Sequence, residues 1–265
     1  MDTKSEISYE FVNIKGKNLH VQLIQQEAAA NLPYLIFLHE GLGCIDMWKD
    51  FPKLLSDELK MNALVYERQG YGKSDSLDLP RPKNYLEIEA LEFLPDLLKH
   101  YNIIEPILIG HSDGGSIALI YAAHFSPKAL VAEAAHVFVE DETIKGIEMA
   151  RNNPELPQII NKLKKYHGEK AEMLFSAWTD TWLSEEFYDW NISSCLSEIL
   201  CPVLVIQGKK DEYATSHHVE SIISGLKNVV YRESFMPENC AHIPHLQAKE
   251  DVLKSMLKFI KNVLA

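Results

Sequence analysis

The sequence predicts an α/β fold in which a mostly parallel sheet of eight strands is flanked by helices. Short continuous apolar runs alternate with helical patterns, and a pair of alternating segments precedes them. A run of four or five apolar residues is typical of a strand buried on both faces of a parallel sheet. Alternation of such strands with helices implies crossover connections, which cover the sheet with helices. One interval lacks such a run and predicts a helical insertion.

The first two strands are predicted to form a hairpin. Residues 7–14 and 19–24 alternate apolar and polar side chains around a Lys-Gly-Lys-Asn turn. Apolar runs predict the other six strands at residues 34–38, 63–66, 106–109, 129–132, 202–206 and 229–231. Apolar residues at helical spacing predict helices over residues 46–60, 85–101, 115–125, 215–226 and 247–263.

The interval between His136 and Cys195 follows the sixth strand and shows no buried-strand pattern. It is charged and rich in aromatic residues, and Pro154 and Pro157 interrupt its helical patterns. We therefore predict a helical cap inserted after the sixth strand. The chain then divides into a first part of the core (residues 1–136), the cap (137–195) and a second part of the core (196–265).

Composition limits the location and the partners. Lys and Arg number 26 against 38 Asp and Glu, a formal net charge of −12. An acidic surface repels phosphate backbones, so no nucleic acid partner is expected. No apolar run approaches the ~18 residues that cross a bilayer, so no membrane partner is expected either. Four scattered cysteines and a polar start without a signal-peptide pattern predict a cytoplasmic protein with free thiols. We expect a monomer or a homodimer.

The most informative motif is Gly-His-Ser-Asp-Gly-Gly at residues 110–115, between a predicted strand and a predicted helix. A nucleophile in a sharp strand-to-helix turn needs small residues two positions away on either side, because the backbone there is strained and closely packed. Gly110 and Gly114 meet this need. We therefore predict Ser112 as a nucleophile. The alternative is a glycine-rich turn with a serine that caps the helix.

A nucleophilic serine needs a base that is held by a third group. Asp211 follows the strand at residues 202–206, and His242 lies in the loop after the last strand. The order serine, aspartate, histidine is the one that a nucleophile elbow on this type of sheet requires. Ser112, His242 and Asp211 are therefore the predicted catalytic residues.

Other histidines offer alternatives. His245, three residues beyond His242, is a second candidate for the base. Cys240, His242 and His245 are residue types that zinc accepts, but no fourth ligand or paired cysteine motif accompanies them, so no metal site is predicted. His217 and His218 are adjacent on a predicted helix and are expected at the surface.

With these residues the chain resembles the capped serine-hydrolase branch of the α/β-hydrolase fold family, over nearly its whole length. That branch includes carboxylesterases, carbon–carbon bond hydrolases and haloperoxidase-like enzymes. The resemblance implies that the loop at residues 39–43 (His-Glu-Gly-Leu-Gly) builds an oxyanion hole from the backbone N–H groups of Gly41 and Asp113. Leu42 replaces Gly41 if the loop is shifted by one residue. Glu40 stands where the family usually has glycine.

A second stretch also resembles the family. Residues 67–74 (Glu-Arg-Gln-Gly-Tyr-Gly-Lys-Ser) match its turn after the fourth strand, with Glu67 and Gln69 in place of the usual aspartate and arginine. The resemblance implies a role in turn geometry. We therefore interpret this segment as part of the scaffold.

Aromatic residues spaced three and four apart within residues 175–182 predict a helical stripe that packs the cap on the core. We expect part of this face to overhang Ser112 and form the substrate pocket. The candidate lining residues are Phe138, Met149, Trp178 and Trp182.

Motif and resemblance together predict hydrolysis of a small or medium, largely apolar carboxylic ester through an acyl-enzyme. The expected partner is a small-molecule, ester-like substrate, and the reaction needs no metal or organic cofactor. Carbon–carbon bond hydrolysis or haloperoxidase-like chemistry with the same triad is the alternative. A ligand-sensing protein on the hydrolase scaffold is a third interpretation, since fold does not fix function.

Overall fold

The computed structural model of the protein describes residues 5–27, 29 and 32–265. Eight strands of this part form one sheet in the order β1-β2-β4-β3-β5-β6-β7-β8. β1 pairs with β2 and β2 with β4 in antiparallel fashion, whereas all other neighbours are parallel. The strands are β1 (Glu6–Ile14), β2 (Lys17–Gln25), β3 (Leu35–Leu38), β4 (Ala63–Tyr66), β5 (Ile107–His111), β6 (Ala129–Glu133), β7 (Val203–Ile206) and β8 (Arg232–Phe235). The predicted eight-stranded, mostly parallel sheet is confirmed.

Helices cover both faces of the sheet. They are α1 (Phe51–Leu59), α2 (Tyr85–Ile88), α3 (Leu94–His100), α4 (Asp113–His124), α5 (Asp141–Arg151), α6 (Leu156–His167), α7 (Ala171–Trp182), α8 (Glu185–Tyr188), α9 (Ser216–Gly225), α10 (Pro244–Gln247) and α11 (Lys249–Leu264). Every residue of β3 to β7 is buried. Ile36 and Leu38 pack in a core cluster with α2, α3, α4 and α9, whereas Leu35 and Phe37 pack against α1 and α11. This double burial explains the continuous apolar runs of these strands.

The last strand lies further along the chain than predicted. β8 covers Arg232–Phe235, and its residues alternate between exposed and half-buried. Of the apolar residues that suggested a strand, Val229 is buried before β8, whereas Val230 is fully exposed. β8 lies at the edge of the sheet, where a strand needs no continuous apolar run.

Two predicted helices are interrupted. A 3₁₀ turn at Ile45–Trp48 precedes α1, and a π-helical turn at Glu89–Phe93 separates α2 from α3. Pro95, in the first turn of α3, has no backbone N–H to donate to the preceding turn. A π-helical turn accommodates such a missing hydrogen bond.

Helices α5 to α8 occupy the chain between β6 and β7, so the insertion after the sixth strand is helical as predicted. Within this interval, Phe138 and Asn191 form an isolated antiparallel β-bridge. Phe175 of α7 packs in a small cluster with Leu163 and Ala171, and Trp182 joins the main core. The division of the chain into domains at residues 136 and 195 stays a prediction.

Across the described ranges, no helix is both long enough and apolar enough to cross a membrane.

Candidate active site

Ser112 lies between β5 and α4, with a φ of 54° and a ψ of −117°. The left-handed φ places a non-glycine residue in a strained conformation. A Cβ at Gly110 would lie 2.1 Å from the carbonyl oxygen of Gly114, and one at Gly114 would lie 1.9 Å from that of Leu38. Both glycines are therefore required by close backbone approach, as the motif predicts.

The structure brings the three predicted catalytic side chains together. His242 Nε2 lies 2.9 Å from Ser112 Oγ, and His242 Nδ1 lies 2.8 Å and 3.0 Å from the two carboxylate oxygens of Asp211. Because a carboxylate only accepts hydrogen bonds, Nδ1 carries the proton and the Nε2 lone pair faces the serine.

Asp211 is held in its charged form. Its side chain is fully buried, and its Oδ1 also accepts a 2.9 Å hydrogen bond from the backbone N–H of Tyr213. Burial alone would raise the pKa of Asp211, but the charge and hydrogen bond of His242 and the Tyr213 N–H hold it below its usual range. A charged Asp211 can fix the His242 tautomer and stabilise the imidazolium.

His245, the alternative base, is engaged elsewhere. It is buried, and its Nδ1 lies 3.0 Å from both carboxylate oxygens of Glu133 at the end of β6. Among the described hydrogen bonds, it is His242 that reaches Ser112. In the described part of the chain, no group of three or more His, Cys, Asp and Glu residues is arranged to hold a metal ion.

An ion pair between the buried His111 and the half-buried Glu40 lies at the site. His111 Nε2 donates a 2.7 Å hydrogen bond to the backbone carbonyl of His242, and its Nδ1 lies 3.5 Å from the carboxylate of Glu40. Burial raises the pKa of Glu40, but the adjacent His111 ring outweighs it and lowers the pKa to about 2. Burial lowers the pKa of His111, but Glu40 and Glu133 outweigh it and raise the pKa to about 9. The charge of Glu40, which belongs to the loop at residues 39–43, is therefore compensated by His111.

The two predicted oxyanion donors lie beside Ser112. Asp113 is the first residue of α4, and the first N–H groups of a helix have no partner within it. Its side chain turns to the scaffold, where it accepts from Tyr85 at 2.9 Å and pairs with Arg68 at 3.4 Å. Gly41 is covered by Trp178, since a Cβ at Gly41 would lie 3.0 Å from the indole Cδ1 and Nε1.

The turn after β4 contains both expected substitutions. The carboxylate of Glu67 takes the anchoring position, accepting from the backbone N–H of Lys73 at 2.6 Å and pairing with His20 at 3.0 Å. Gln69 donates to the backbone of Ser76, and it is the preceding residue, Arg68, that reaches into the core. The segment is scaffold, and it also supports Asp113.

A cavity of about 660 Å³, including its opening to solvent, lies above Ser112. Trp178 and Trp182 line it as predicted, but Phe138 and Met149 do not. Phe138 stacks on His218 with ring centroids 4.3 Å apart, and Met149 is 65% exposed. The lining residues are Glu40, Gly41, Leu42, Ser112, Asp113, His136, Thr143, Ile147, Trp178, Trp182, Tyr213, His242 and Ile243.

Helical phase explains the error at Met149. Thr143 and Ile147 are four residues apart on α5 and lie on its buried face, whereas Met149 lies on the opposite side. The 3.6-residue pattern of α5 was sufficient to choose Thr143 and Ile147 instead. No pattern in the sequence singles out His136 or Tyr213, because both lie in loops after parallel strands.

The expectation that His218 lies at the surface is wrong. It is fully buried, its Nε2 lies 3.0 Å from Glu140, and its Nδ1 accepts from the backbone N–H of Val137 at 3.2 Å. His217, the neighbouring residue, is exposed. The buried face of α9 consists of His218, Val219 and Ile222. Adjacent residues of a helix point in different directions, so His218 is buried while His217 faces solvent.

This sheet, with a strained serine at a strand-to-helix turn and a histidine and an aspartate on later loops, defines an α/β hydrolase. A model described as the alpha/beta hydrolase family matches residues 35–254, and the chain belongs to that family.

The individual relatives share only low sequence identity with this chain. The chain is 26% identical to serine hydrolase BPHL of Mus musculus, over 94% of this chain and 85% of that protein. It is 23% identical to proline iminopeptidase of Saccharolobus solfataricus, over 97% of this chain and 98% of the relative. The 2-hydroxy-6-oxo-6-phenylhexa-2,4-dienoate hydrolase from a Rhodococcus species has a similar fold, with a TM-score of 0.78 at 13% identity over 97% of this chain and all of that one.

Proposed function

We propose that this hydrolase cleaves a small or medium, largely apolar carboxylic ester through an acyl-enzyme on Ser112. One observation carries the proposal: an unbroken hydrogen-bonded chain from Ser112 Oγ through His242 to Asp211. The likeness to a protein named as a serine hydrolase supports a serine nucleophile.

Acylation begins when His242 Nε2 removes the proton from Ser112 Oγ, which lies 2.9 Å away. The oxygen attacks the ester carbonyl and forms a tetrahedral oxyanion. The imidazolium of His242, stabilised by the buried carboxylate of Asp211, then gives its proton to the departing alcohol oxygen. The carbonyl re-forms as an acyl-enzyme ester of Ser112.

The oxyanion is stabilised by the backbone N–H groups of Gly41 and Asp113. Preorganised donors of this kind contribute roughly 3–4 kcal/mol each to the transition state. Because Asp113 turns its carboxylate toward Arg68, its backbone N–H serves the site while its negative charge is compensated in the scaffold.

Deacylation repeats these steps with water. His242 removes a proton from a water molecule, the hydroxide attacks the acyl carbonyl, and the collapse of the second tetrahedral intermediate returns the proton to Ser112 Oγ. The products are a carboxylic acid and an alcohol.

The cavity favours apolar substrates of limited size. Apolar side chains from the oxyanion loop, the cap and the loop of His242 provide much of its wall: Leu42, Ile147, Trp178, Trp182 and Ile243. The enclosed part of the cavity is about 180 Å³, below the usual range for drug-sized ligands, so it favours a small substrate.

The test combines labelling and turnover. A fluorophosphonate should label the wild-type protein at Ser112, as identified by mass spectrometry, and Ser112→Ala should abolish both the label and the hydrolysis of aryl acyl esters. Replacement of an exposed serine, Ser224→Ala, is the matched control and should retain both. Ester turnover in Ser112→Ala at the wild-type rate, or a label elsewhere, contradicts the proposal.

A substrate panel separates this proposal from the alternatives that the sequence leaves open. Faster turnover of vinylogous diketones than of any ester would favour carbon–carbon bond hydrolysis. Peracid formation would favour haloperoxidase-like chemistry. Tight ligand binding without multiple turnover would favour a sensing protein.

A further inference from the structure

His136 is a polar residue of the cavity wall that the mechanism above does not use. It follows β6, is 4% exposed, and lines the cavity together with Ser112 and His242. Its ring centroid lies 5.9 Å from that of His242 and 5.3 Å from that of Trp182. A ligand atom that contacts His136 is therefore close to the reacting atoms.

The tautomer of His136 is set by its neighbour. Its Nε2 lies 3.1 Å from the backbone carbonyl of Tyr213, which only accepts hydrogen bonds, so Nε2 carries the proton. Burial, together with the nearby His218 and His242, lowers the pKa of His136 to about 3. The ring is therefore neutral at physiological pH, and its Nδ1 presents a lone pair.

That lone pair is open to the cavity. Within the described residues, His136 Nδ1 has no hydrogen-bond partner, yet it is not one of the fully enclosed polar atoms, so it keeps some accessible surface. The open surface that His136 lines is the cavity. A hydrogen-bond acceptor thus lies in a wall that is otherwise largely apolar.

We propose that His136 Nδ1 selects ester substrates that carry a hydroxyl group within a few bonds of the scissile carbonyl, by accepting a hydrogen bond from that hydroxyl. This inference rests on the proposed function and names its substrate class. Docking a substrate removes water from Nδ1, so a substrate without a donor leaves a buried acceptor unpaired. A site built to bond a hydroxyl discriminates strongly against the analogue that lacks it.

Charge favours a neutral donor over an ammonium group. His242 becomes an imidazolium during acylation, and its ring lies 5.9 Å from that of His136. A cationic substrate group at Nδ1 would oppose this charge in the transition state. A hydroxyl group forms the same hydrogen bond without that penalty.

The experiment compares aryl esters of a straight-chain acid with those of its 2-, 3- and 4-hydroxy and matching amino counterparts. For the wild-type protein we expect one hydroxy ester to exceed the unsubstituted ester about tenfold in kcat/KM, and to exceed its amino counterpart. His136→Leu should bring the ratio of hydroxy to unsubstituted ester close to one, and His136→Gln, which again offers an acceptor, should restore part of it.

Thr143→Val is the matched control. Thr143 Oγ1 donates to the same Tyr213 carbonyl at 2.8 Å and also lines the cavity, but it is His136 whose second ring atom is an unpaired acceptor. If His136 acted only by holding the Tyr213 loop, His136→Leu and Thr143→Val would both lower kcat/KM for all esters by the same factor. We expect Thr143→Val to keep the wild-type preference for the hydroxyl group.

Two outcomes overturn the inference while leaving the proposed function intact. One is equal kcat/KM for hydroxy and unsubstituted esters in the wild-type protein. The other is a preference that survives in His136→Leu. Absence of all ester turnover together with an unlabelled Ser112 overturns the proposed function instead. Calorimetric binding of the same esters to Ser112→Ala then tests the hydroxyl preference without turnover, and equal affinities contradict it.

Discussion

Ser112 and Glu40 show how single residues of this site depend on compensation nearby. The strain at Ser112 is accommodated because Gly110 and Gly114 let the backbone pass close to itself. The charge of Glu40 next to the oxyanion loop is compensated by His111, which in turn holds the backbone carbonyl of His242. A glycine at position 40, usual in the family, would need no such histidine partner.

The ion pair of Glu40 and His111 makes the stability of the protein depend on pH. The pKa of Glu40 falls from 4.5 to about 2, so its contribution is present above pH 4.5 and is lost as the pH falls toward 2. The pKa of His111 rises from 6.5 to about 9, so its contribution is full below pH 6.5 and is lost as the pH rises through 9. The pair therefore contributes most between about pH 4.5 and 6.5.

We expect Glu40→Gln to lower the free energy of unfolding by about 3 kcal/mol at pH 6, because it leaves His111 buried without its carboxylate. Urea denaturation from pH 5 to 9.5 measures the effect. The difference from wild type should shrink as the pH rises through 9. Curves that stay parallel over this range contradict the ion pair.

At the scale of elements, the turn between β5 and α4 is tightly constrained by its backbone contacts. A Cβ at Gly114 would meet the backbone of β3, which cannot move without disturbing the centre of the sheet. The helix and the strand therefore approach each other at a fixed distance. Ser112 is held at the edge where the parallel strands end.

We expect Gly114→Ala to destabilise the protein by at least ~3 kcal/mol or to prevent folding, because the overlap involves backbone rather than a flexible side chain. Gly168→Ala is the control: nothing lies within 4 Å of its added Cβ, although its φ of 59° carries a backbone cost that Gly114 does not have. This backbone conformation should cost the alanine variant about 1–3 kcal/mol, without a steric overlap. Thermal unfolding measures the loss of stability in both variants. Equal losses would contradict the close backbone approach at Gly114.

The elements differ in how well the sequence predicts them, for physical reasons. β3 to β7 are buried on both faces, and their apolar runs predict them well. β8 is an edge strand of Arg, Glu, Ser and Phe, so its pattern is weak. Within the site, Ser112 is predictable because its geometry restricts the neighbouring residue types. His136 is not, because it lies in a loop after a strand, whereas the helical phase of α5 is sufficient to place Met149 away from the cavity.

At the scale of the whole molecule, one chain of hydrogen bonds joins the inserted helices to the site. Trp182 Nε1 of α7 donates to Tyr85 at 3.0 Å, and Tyr85 donates to Asp113 at 2.9 Å. Arg68 pairs with the same carboxylate from the turn after β4. The insertion, the core and the residue after Ser112 are therefore connected through buried polar groups.

We expect Trp182→Ala to lower the free energy of unfolding by about 3–5 kcal/mol, because it empties a buried site and leaves Tyr85 without its donor. It should also reduce kcat/KM for esters, since Trp182 lines the cavity. Met149→Ala, on the exposed face of α5, should change stability by no more than about 0.5 kcal/mol. Equal free energies of unfolding for the two variants in urea would contradict the structural contribution of the buried Trp182 side chain.

The separation between the loops that hold the proposed catalytic groups and the inserted helices that line the cavity has a consequence for how such proteins diverge. The proposed catalytic groups come from loops that follow sheet strands, whereas α5 and α7 contribute Thr143, Ile147, Trp178 and Trp182 to the walls. Mutations in these two helices alter what fits without displacing the atoms that react. A lineage with this architecture can therefore acquire new substrates through its inserted helices while its chemistry is inherited unchanged.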